Sequence, residues 1–164
     1  MNMNSNKQDF VRAIPNDVSK LRLLAHKSEA HWGYNENFMD IFDQVFNITE
    51  QFIRRNPVFV LWSDTDPVAF WGLMKDDVCW ELEYFYVEVS SLGKGYGKQM
   101  WSHMINWCEE HKIQTIHFVT STQAVGFYER MGATKDYMAQ SVIDGRSIPH
   151  FTYEVVETRR MLSE

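Results

Sequence analysis

Glu81-Leu-Glu-Tyr-Phe-Tyr-Val-Glu-Val-Ser-Ser-Leu-Gly-Lys-Gly-Tyr-Gly-Lys98 is the stretch that decides the fold. Up to Val89 it is rich in aromatic and β-branched residues, the composition of a strand. A Ser90-Ser91 turn follows, then Gly93, Gly95 and Gly97 alternating with Lys94, Tyr96 and Lys98. Directly behind the glycines an amphipathic helix begins, with Tyr96, Met100, Met104 and Trp107/Cys108 on one stripe. A strand that feeds a glycine loop opening a helix is an anion site. Bare backbone N–H groups converge there, and the helix dipole favours negative charge. The loop is neither of the usual nucleotide signatures. Gln99 follows Lys98, so the Lys-Ser/Thr ending of a Walker loop is missing, and the glycine spacing is not that of a dinucleotide-binding turn.

A second run lies some thirty residues on: Ser121-Thr-Gln-Ala-Val-Gly-Phe-Tyr-Glu-Arg-Met-Gly-Ala133. Ser121 or Thr122 can cap a short helix, and Gly132 can end it. Ala124, Phe127 and Met131 fall at i, i+3 and i+7, which puts them on a core face and turns Tyr128 about 100° away, towards a neighbouring cleft.

Taken together, the two runs resemble motifs A and B of the GNAT superfamily of N-acetyltransferases. In motif A, Gln/Arg-x-x-Gly-x-Gly/Ala wraps the pyrophosphate of acetyl-CoA. Gly95 and Gly97 match, with Leu92 in place of the usual Gln or Arg. In motif B, Ala124, Phe127, Tyr128 and Gly132 match, with Ser121 in place of Asn. The resemblance implies acetyl-CoA as cosubstrate, held by Leu92, Gly93, Lys94, Gly95, Tyr96, Gly97, Lys98, Ser121 and Ala124, with Phe85, Tyr86 and Val87 beside the pantetheine arm. It also implies a catalytic glutamate further back on the strand. The register lands on Glu81, and Glu83, on the same face under strict alternation, is the substitute. Tyr128 resembles the acid that protonates the leaving thiolate. Transfer to an amine needs these groups: the acceptor has a pKa of about 10 and must lose a proton, and the thioester oxygen wants a preorganised N–H donor.

The rest of the chain fits that family. Strands are expected at Gln8–Ile14, Pro57–Trp62, Pro67–Met74, Val78–Val89, Gln114–Thr120, Tyr137–Ile143 and His150–Val156, with helices at Asp17–His31, Asn37–Phe46 and a turn or two at Thr49–Arg55. The expected architecture is α/β (α+β): a GNAT fold with a mixed, mostly antiparallel sheet of about six to seven strands flanked by helices. Residues 1–164 form one domain, without repeats or an interdomain linker.

Composition narrows the partners. A net charge of −6 argues against nucleic acid and against general attraction to membranes. The longest apolar runs are too short to span a bilayer. The N-terminal residues lack the apolar core of a signal peptide, and two cysteines suit free thiols in a reducing cytoplasm. The histidines have no metal-ligand spacing, so no metal is expected. Between Lys27 and Arg54 there is no Lys or Arg but there are five acids, Glu29, Glu36, Asp40, Asp43 and Glu50. This is either a solvated helix face or an acidic wall that draws a cationic amine. His31, Trp32 and Tyr34 are candidates for the acceptor pocket, or a helix terminus with Trp32 packed inward. Arg146, in the hairpin turn Asp144-Gly145-Arg146, is either solvated or in contact with acceptor or a second subunit. The expected protein is a cytoplasmic N-acetyltransferase of a small, cationic primary amine, monomeric or homodimeric. A non-catalytic acyl-CoA sensor and a protein acetyltransferase are the alternatives.

Overall fold

The computed structural model describes residues 9–155, so the ends Gln8 and Val156 of the outermost expected strands lie outside the described residues. One seven-stranded sheet forms the middle layer. Its strands are β1 (Val11–Arg12), β2 (Val58–Ser63), β3 (Asp66–Lys75), β4 (Trp80–Val87), β5 (Thr115–Val119), β6 (Thr134–Gln140) and β7 (Ser147–Glu154), in the order β1-β2-β3-β4-β5-β7-β6. Every neighbouring pair is antiparallel except β4–β5, which is parallel. Parallel neighbours need a crossover; here it is α4 (Tyr96–Glu110).

Helices cover both faces. On one side α1 (Val18–Ala30) and α3 (Glu50–Arg55) pack Leu21, Leu24, Ala25 and Ile53 against Val58, Val60, Phe70 and Tyr84. On the other, α4 and α5 (Val125–Arg130) pack Met100, Trp101, Met104 and Tyr128 against Leu61, Trp71, Leu82, Ile116 and Phe118. The short helix α2 (Glu36–Val45) makes a smaller cluster of Phe38, Met39 and Phe42. Asn35 and Thr49 start α2 and α3 by accepting from the N–H groups of Phe38 and Phe52 at 2.8 and 3.0 Å. β3 is buried from Pro67 to Leu73, as expected of a strand covered on both faces.

β6 and β7 lie about three residues earlier than the expected Tyr137–Ile143 and His150–Val156, because the connecting loop takes in residues 141–146. Three further elements differ from the sequence expectation. β1 shrinks to two residues, an edge strand with only β2 to pair with. β4 starts at Trp80 rather than Val78, because the Asp76 carboxylate accepts from the N–H groups of Val78 and Cys79 at 2.9 and 2.7 Å and turns that segment into a loop. The helix of the second motif starts as a 3₁₀ turn over Thr122–Ala124 and becomes α-helical only from Val125. Three residues per turn instead of 3.6 shifts the phase. Tyr128 therefore faces the core at 6% exposure, while Ala124, Phe127 and Met131 are only partly buried.

Trp71 is the largest fully buried side chain. It stacks on Phe59 with ring centroids 5.0 Å apart and donates its indole N–H to His103 Nδ1 at 3.0 Å. Truncating such a ring leaves both a cavity and an unpartnered imidazole. Trp71→Ala should cost about 3–5 kcal/mol of unfolding free energy, read from urea denaturation. A loss near zero would show that Trp71 is not a packing centre.

Candidate active site

β4 and β5 are paired only at Trp80–Ile116 and Glu81–His117. Beyond Glu81 they part, β4 running on to Val87 while β5 pairs with β7. The backbone along β4's open edge is thereby freed. Glu88 N–H bonds Val68 O at 2.7 Å, towards β3. By antiparallel alternation, the N–H groups of Val87 and Phe85 point the other way, into the gap. A bulge lies deeper in the same strand: Gly72 pairs with Tyr84 but Leu73 with Leu82, leaving Glu83 as the extra residue. Strict alternation therefore fails here. Leu82 packs with the α4 cluster and Tyr84 with the α1 cluster.

The mouth of the gap carries the glycine loop. Glu88 shapes it, its carboxylate accepting from Ser90 N–H at 3.2 Å, from Ser90 Oγ and from Ser91 Oγ at 3.1 Å. Gly95 is the residue before α4, at φ +84°, and nothing stands within 4 Å of where its Cβ would be. The same open space lies over Gly93. With no side chain capping the helix, the N–H groups of its first turn face that space. A Cβ on Gly97 would meet the Phe127 ring at 3.1 Å, so this glycine lets α4 and α5 close on each other. Phe127 in turn lies 5.7 Å from Phe85, and Tyr128 5.9 Å from Phe85. The two sequence motifs and the central strand thus meet at one aromatic joint. Leu92, Lys94 and Lys98 are exposed around the loop, Tyr96 is half-buried, and Ser121 and Ala124 flank the start of the second motif.

Around the gap stand ionisable groups with altered affinities for protons, Tyr86 on the α1 side of the sheet and Tyr128 on the α4 side. Burial pushes the Glu83 carboxyl up to about 7, and the charge of Glu81 adds to the shift. Burial likewise pushes Glu29 up to about 7, against the pull of Arg146. The Tyr86 hydroxyl is raised well above its ordinary value by burial and then by Glu29. Tyr128 is raised by burial, partly offset by a hydrogen bond with the Thr120 side chain. Of the five acids expected in an acidic wall, only Glu29 bears on these groups. Asp43 is bonded to His26 Nδ1 at 2.7 Å, Glu50 lies 3.6 Å from Arg54, and Glu36 and Asp40 are exposed.

The outer wall joins three loops. Tyr34 stacks on Phe38 at 3.9 Å, accepts from Gln123 Nε2 at 2.9 Å, and lies under the Arg146 guanidinium, 5.3 Å from its ring centre. Asp144 holds Arg146 in a salt bridge. His31 and Trp32 meet edge to face at an exposed corner, with Trp32 48% exposed rather than packed inward. Tyr34 is brought to the wall; the other two are placed beside it. Gln123 was not singled out in the sequence, and nothing local marks it: its role appears only when the α1–α2 corner and the start of the second motif touch.

The sequence matches the acetyltransferase (GNAT) family over residues 23–133. The chain belongs to that family. No curated protein matches it significantly. Among solved structures it is similar to the PaiA N-acetyltransferase of Thermoplasma acidophilum, crystallised with coenzyme A, at TM-score 0.75 and 14% identity over 89% of this chain and 98% of that one. A GCN5-related N-acetyltransferase of Rhodopseudomonas palustris matches at TM-score 0.74 and 14% identity, over 94% and 99% of the two chains. The ribosomal-protein-S18-alanine N-acetyltransferase of Escherichia coli matches at 0.67 and 14%, over 90% and 93%. The expected α/β sheet architecture is therefore the one found.

Two outcomes follow. Gly95→Val puts a β-branched residue at φ +84° and a side chain over the bare N–H groups, so coenzyme A affinity should fall at least about tenfold in a folded protein. Unchanged affinity by calorimetry would remove the loop from the site. For Glu29, the folded value of about 7 lies above the ordinary 4.5, so the native state holds the extra proton. Stability from this group is present below 4.5 and is lost as pH rises towards 7. Glu29→Gln should flatten part of that decline in urea titrations at pH 4.5 to 7. An identical pH profile in the variant would show that Glu29 ionises normally.

Proposed function

We propose that this protein is an acetyl-CoA-dependent N-acetyltransferase of a small, cationic primary amine. The observation that carries the reading is the gap between β4 and β5, fronted by an unblocked helix N-terminus at one end and holding the bulged Glu83 at the other. Bare N–H groups of α4 and the Gly93–Gly95 turn suit a pyrophosphate. The free N–H groups of Phe85 and Val87 suit the amides of the pantetheine arm and the oxygen of the thioester, where negative charge develops.

An ammonium acceptor entering between Tyr34 and β4 meets Glu29 and Glu83. Either can hold its charge, and Glu83, on the bulge, is favoured to take its proton directly or through a water. This moves the base from Glu81, the first choice of the register, to its substitute. Glu81 is the last residue of β4 still paired with β5, whereas Glu83 lies beyond that pair, on the bulge. Tyr128, its hydroxyl kept protonated and tethered to Thr120, is the acid that supplies a proton to the leaving thiolate. The PaiA enzyme crystallised with coenzyme A supports the same use of the fold.

Acetyl transfer to a panel of polyamines, amino sugars and aminoacyl amides tests the reading. With the best acceptor, Glu83→Gln should lower kcat about 10- to 1000-fold, with recovery at high pH where the amine loses its own proton. Tyr128→Phe should lower kcat similarly while leaving coenzyme A affinity unchanged. Full activity in both variants would reduce these residues to packing. Coenzyme A binding without transfer to any amine would leave an acyl-CoA sensor.

A further inference from the structure

Beside the opening, on the same face of the sheet, a second polar cluster crosses four strands. His117 of β5 faces Glu81 of β4 in register. Its Nδ1 lies 3.2 Å from His150 Nε2, and His150 Nδ1 lies 2.7 Å from Asp136 Oδ1. Thr152 Oγ1 donates to Asp136 Oδ2 at 2.6 Å. At the other end, His117 Nε2 lies 3.4 Å from Asp76 Oδ2. Donor atoms of Asp76, Glu81 and His117 all fall within 4.8 Å of one another.

With both rings neutral, the hydrogen-bond chain sets which way they point their lone pairs. An ionised carboxylate only accepts, so His150 donates from Nδ1 to Asp136. Its Nε2 is then bare and accepts from His117 Nδ1–H. That leaves His117 Nε2 bare against the carboxylates of Asp76 and Glu81, an acceptor-on-acceptor contact that a cation relieves; without a cation, His117 Nε2–H can donate to Asp76 instead. The reverse arrangement would set a bare His150 Nδ1 against Asp136 at 2.7 Å, acceptor on acceptor. Asp76 is held for the encounter from behind: its Oδ1 is taken by the N–H groups of Val78 and Cys79, which leaves Oδ2 to the cluster.

We infer that Asp76, Glu81 and His117 form a binding site for a divalent cation of the zinc class. Three observations converge. The 3.4 Å separation of Nε2 and Oδ2 is long for a hydrogen bond, which runs at about 2.7–3.2 Å. It matches two donors of one tetrahedral ion at about 2.0–2.2 Å from each. The donor set, one imidazole with two carboxylates, leaves a fourth position for water, and suits zinc, cobalt or manganese better than thiolate-seeking ions. Behind the imidazole stand His150 and Asp136, the outer partners that orient a metal-bound histidine and strengthen it as a ligand. None of this was visible in local spacing, because the three residues come from the β3–β4 loop, β4 and β5.

The ion would tie these three segments together where β4 and β5 begin to part. The site stands apart from the acetyl-transfer reading: neither the glycine loop nor Glu83 takes part in it.

Untagged, chelator-treated full-length protein is titrated with Zn²⁺ by calorimetry and with Co²⁺ by visible absorption. One equivalent should bind with Kd of about 10 µM or tighter, and Co²⁺ should give the intense bands of a four-coordinate site. His117→Gln and Asp76→Asn should each weaken binding at least about tenfold. His150→Gln should weaken it about 10- to 100-fold through the ring it orients. His26→Gln, at the remote His26–Asp43 pair, should leave it unchanged. Coenzyme A affinity verifies that each variant is folded. Absence of stoichiometric binding to the wild-type protein, affinity unchanged in His117→Gln, or a six-coordinate aqua-type Co²⁺ spectrum would each overturn the assignment.

Discussion

The parting of β4 from β5 after Glu81–His117 is the constraint on which the rest of the molecule depends. Two parallel neighbours need a crossover helix, and this one must start where β4 ends. The start of α4 therefore falls at the mouth of the gap, with its first N–H groups unspent. Strands that separate inside a core expose backbone donors and acceptors that cost free energy if left dry. The gap is thus a place where the fold tolerates an incomplete ladder, and an extended, amide-bearing arm is the ligand shape that completes it. Phe85, Phe127 and Tyr128 pack together beside the gap on the α4 side, and the bulge at Glu83 interrupts the β3–β4 register.

How much of this was legible follows from the range of each signal. The loop from Gly93 to Gly97 could be read because its requirement is local: a left-handed backbone at Gly95 and a close helix contact at Gly97 both demand glycine. The order of strands and helices was legible through periodicity. Tyr128 was misplaced because helical counting assumed 3.6 residues per turn from Ser121, and the 3₁₀ turn at Thr122–Ala124 advanced the phase. The site's acids were harder still. Alternation ranked Glu81 and Glu83 as equals, and nothing local announces a bulge. Only the pairing of Gly72 with Tyr84 and Leu73 with Leu82 shows that Glu83, and not Glu81, is the bulged residue.

The acidic segment before Arg54 illustrates the same limit in charge. Five acids without a compensating Lys or Arg look alike in sequence, but the helices give them different fates. Asp43 and Glu50 find partners on the surface, and one carboxyl, Glu29, turns towards Tyr86 and Tyr128. A single half-buried carboxyl in low dielectric acts on a nearby ammonium more strongly than several solvated ones, whose fields water and salt screen. Under the proposed function, attraction of a cationic acceptor rests on Glu29 and Glu83 rather than on the net charge of the segment. Arg146, fastened over Tyr34 by Asp144, borders them on the outside.

Two carboxylates only two residues apart end in different chemical settings for a geometric reason. Glu81 lies where the ladder is intact, so its neighbours are set by strand register: His117 across β5 and, through it, the His150–Asp136 pair on β7 and β6. Glu83 lies where the ladder has failed, half-buried, with Glu81, Tyr84 and Tyr86 as its electrostatic neighbours. Register holds facing side chains of adjacent strands with Cβ atoms about 4.5–5.5 Å apart, close enough for their donor atoms to share a ligand. A gap fixes them loosely and admits a substrate. One strand thereby places Glu81 in a polar cluster and Glu83 beside the gap, two residues apart. The residue at which pairing stops separates the two.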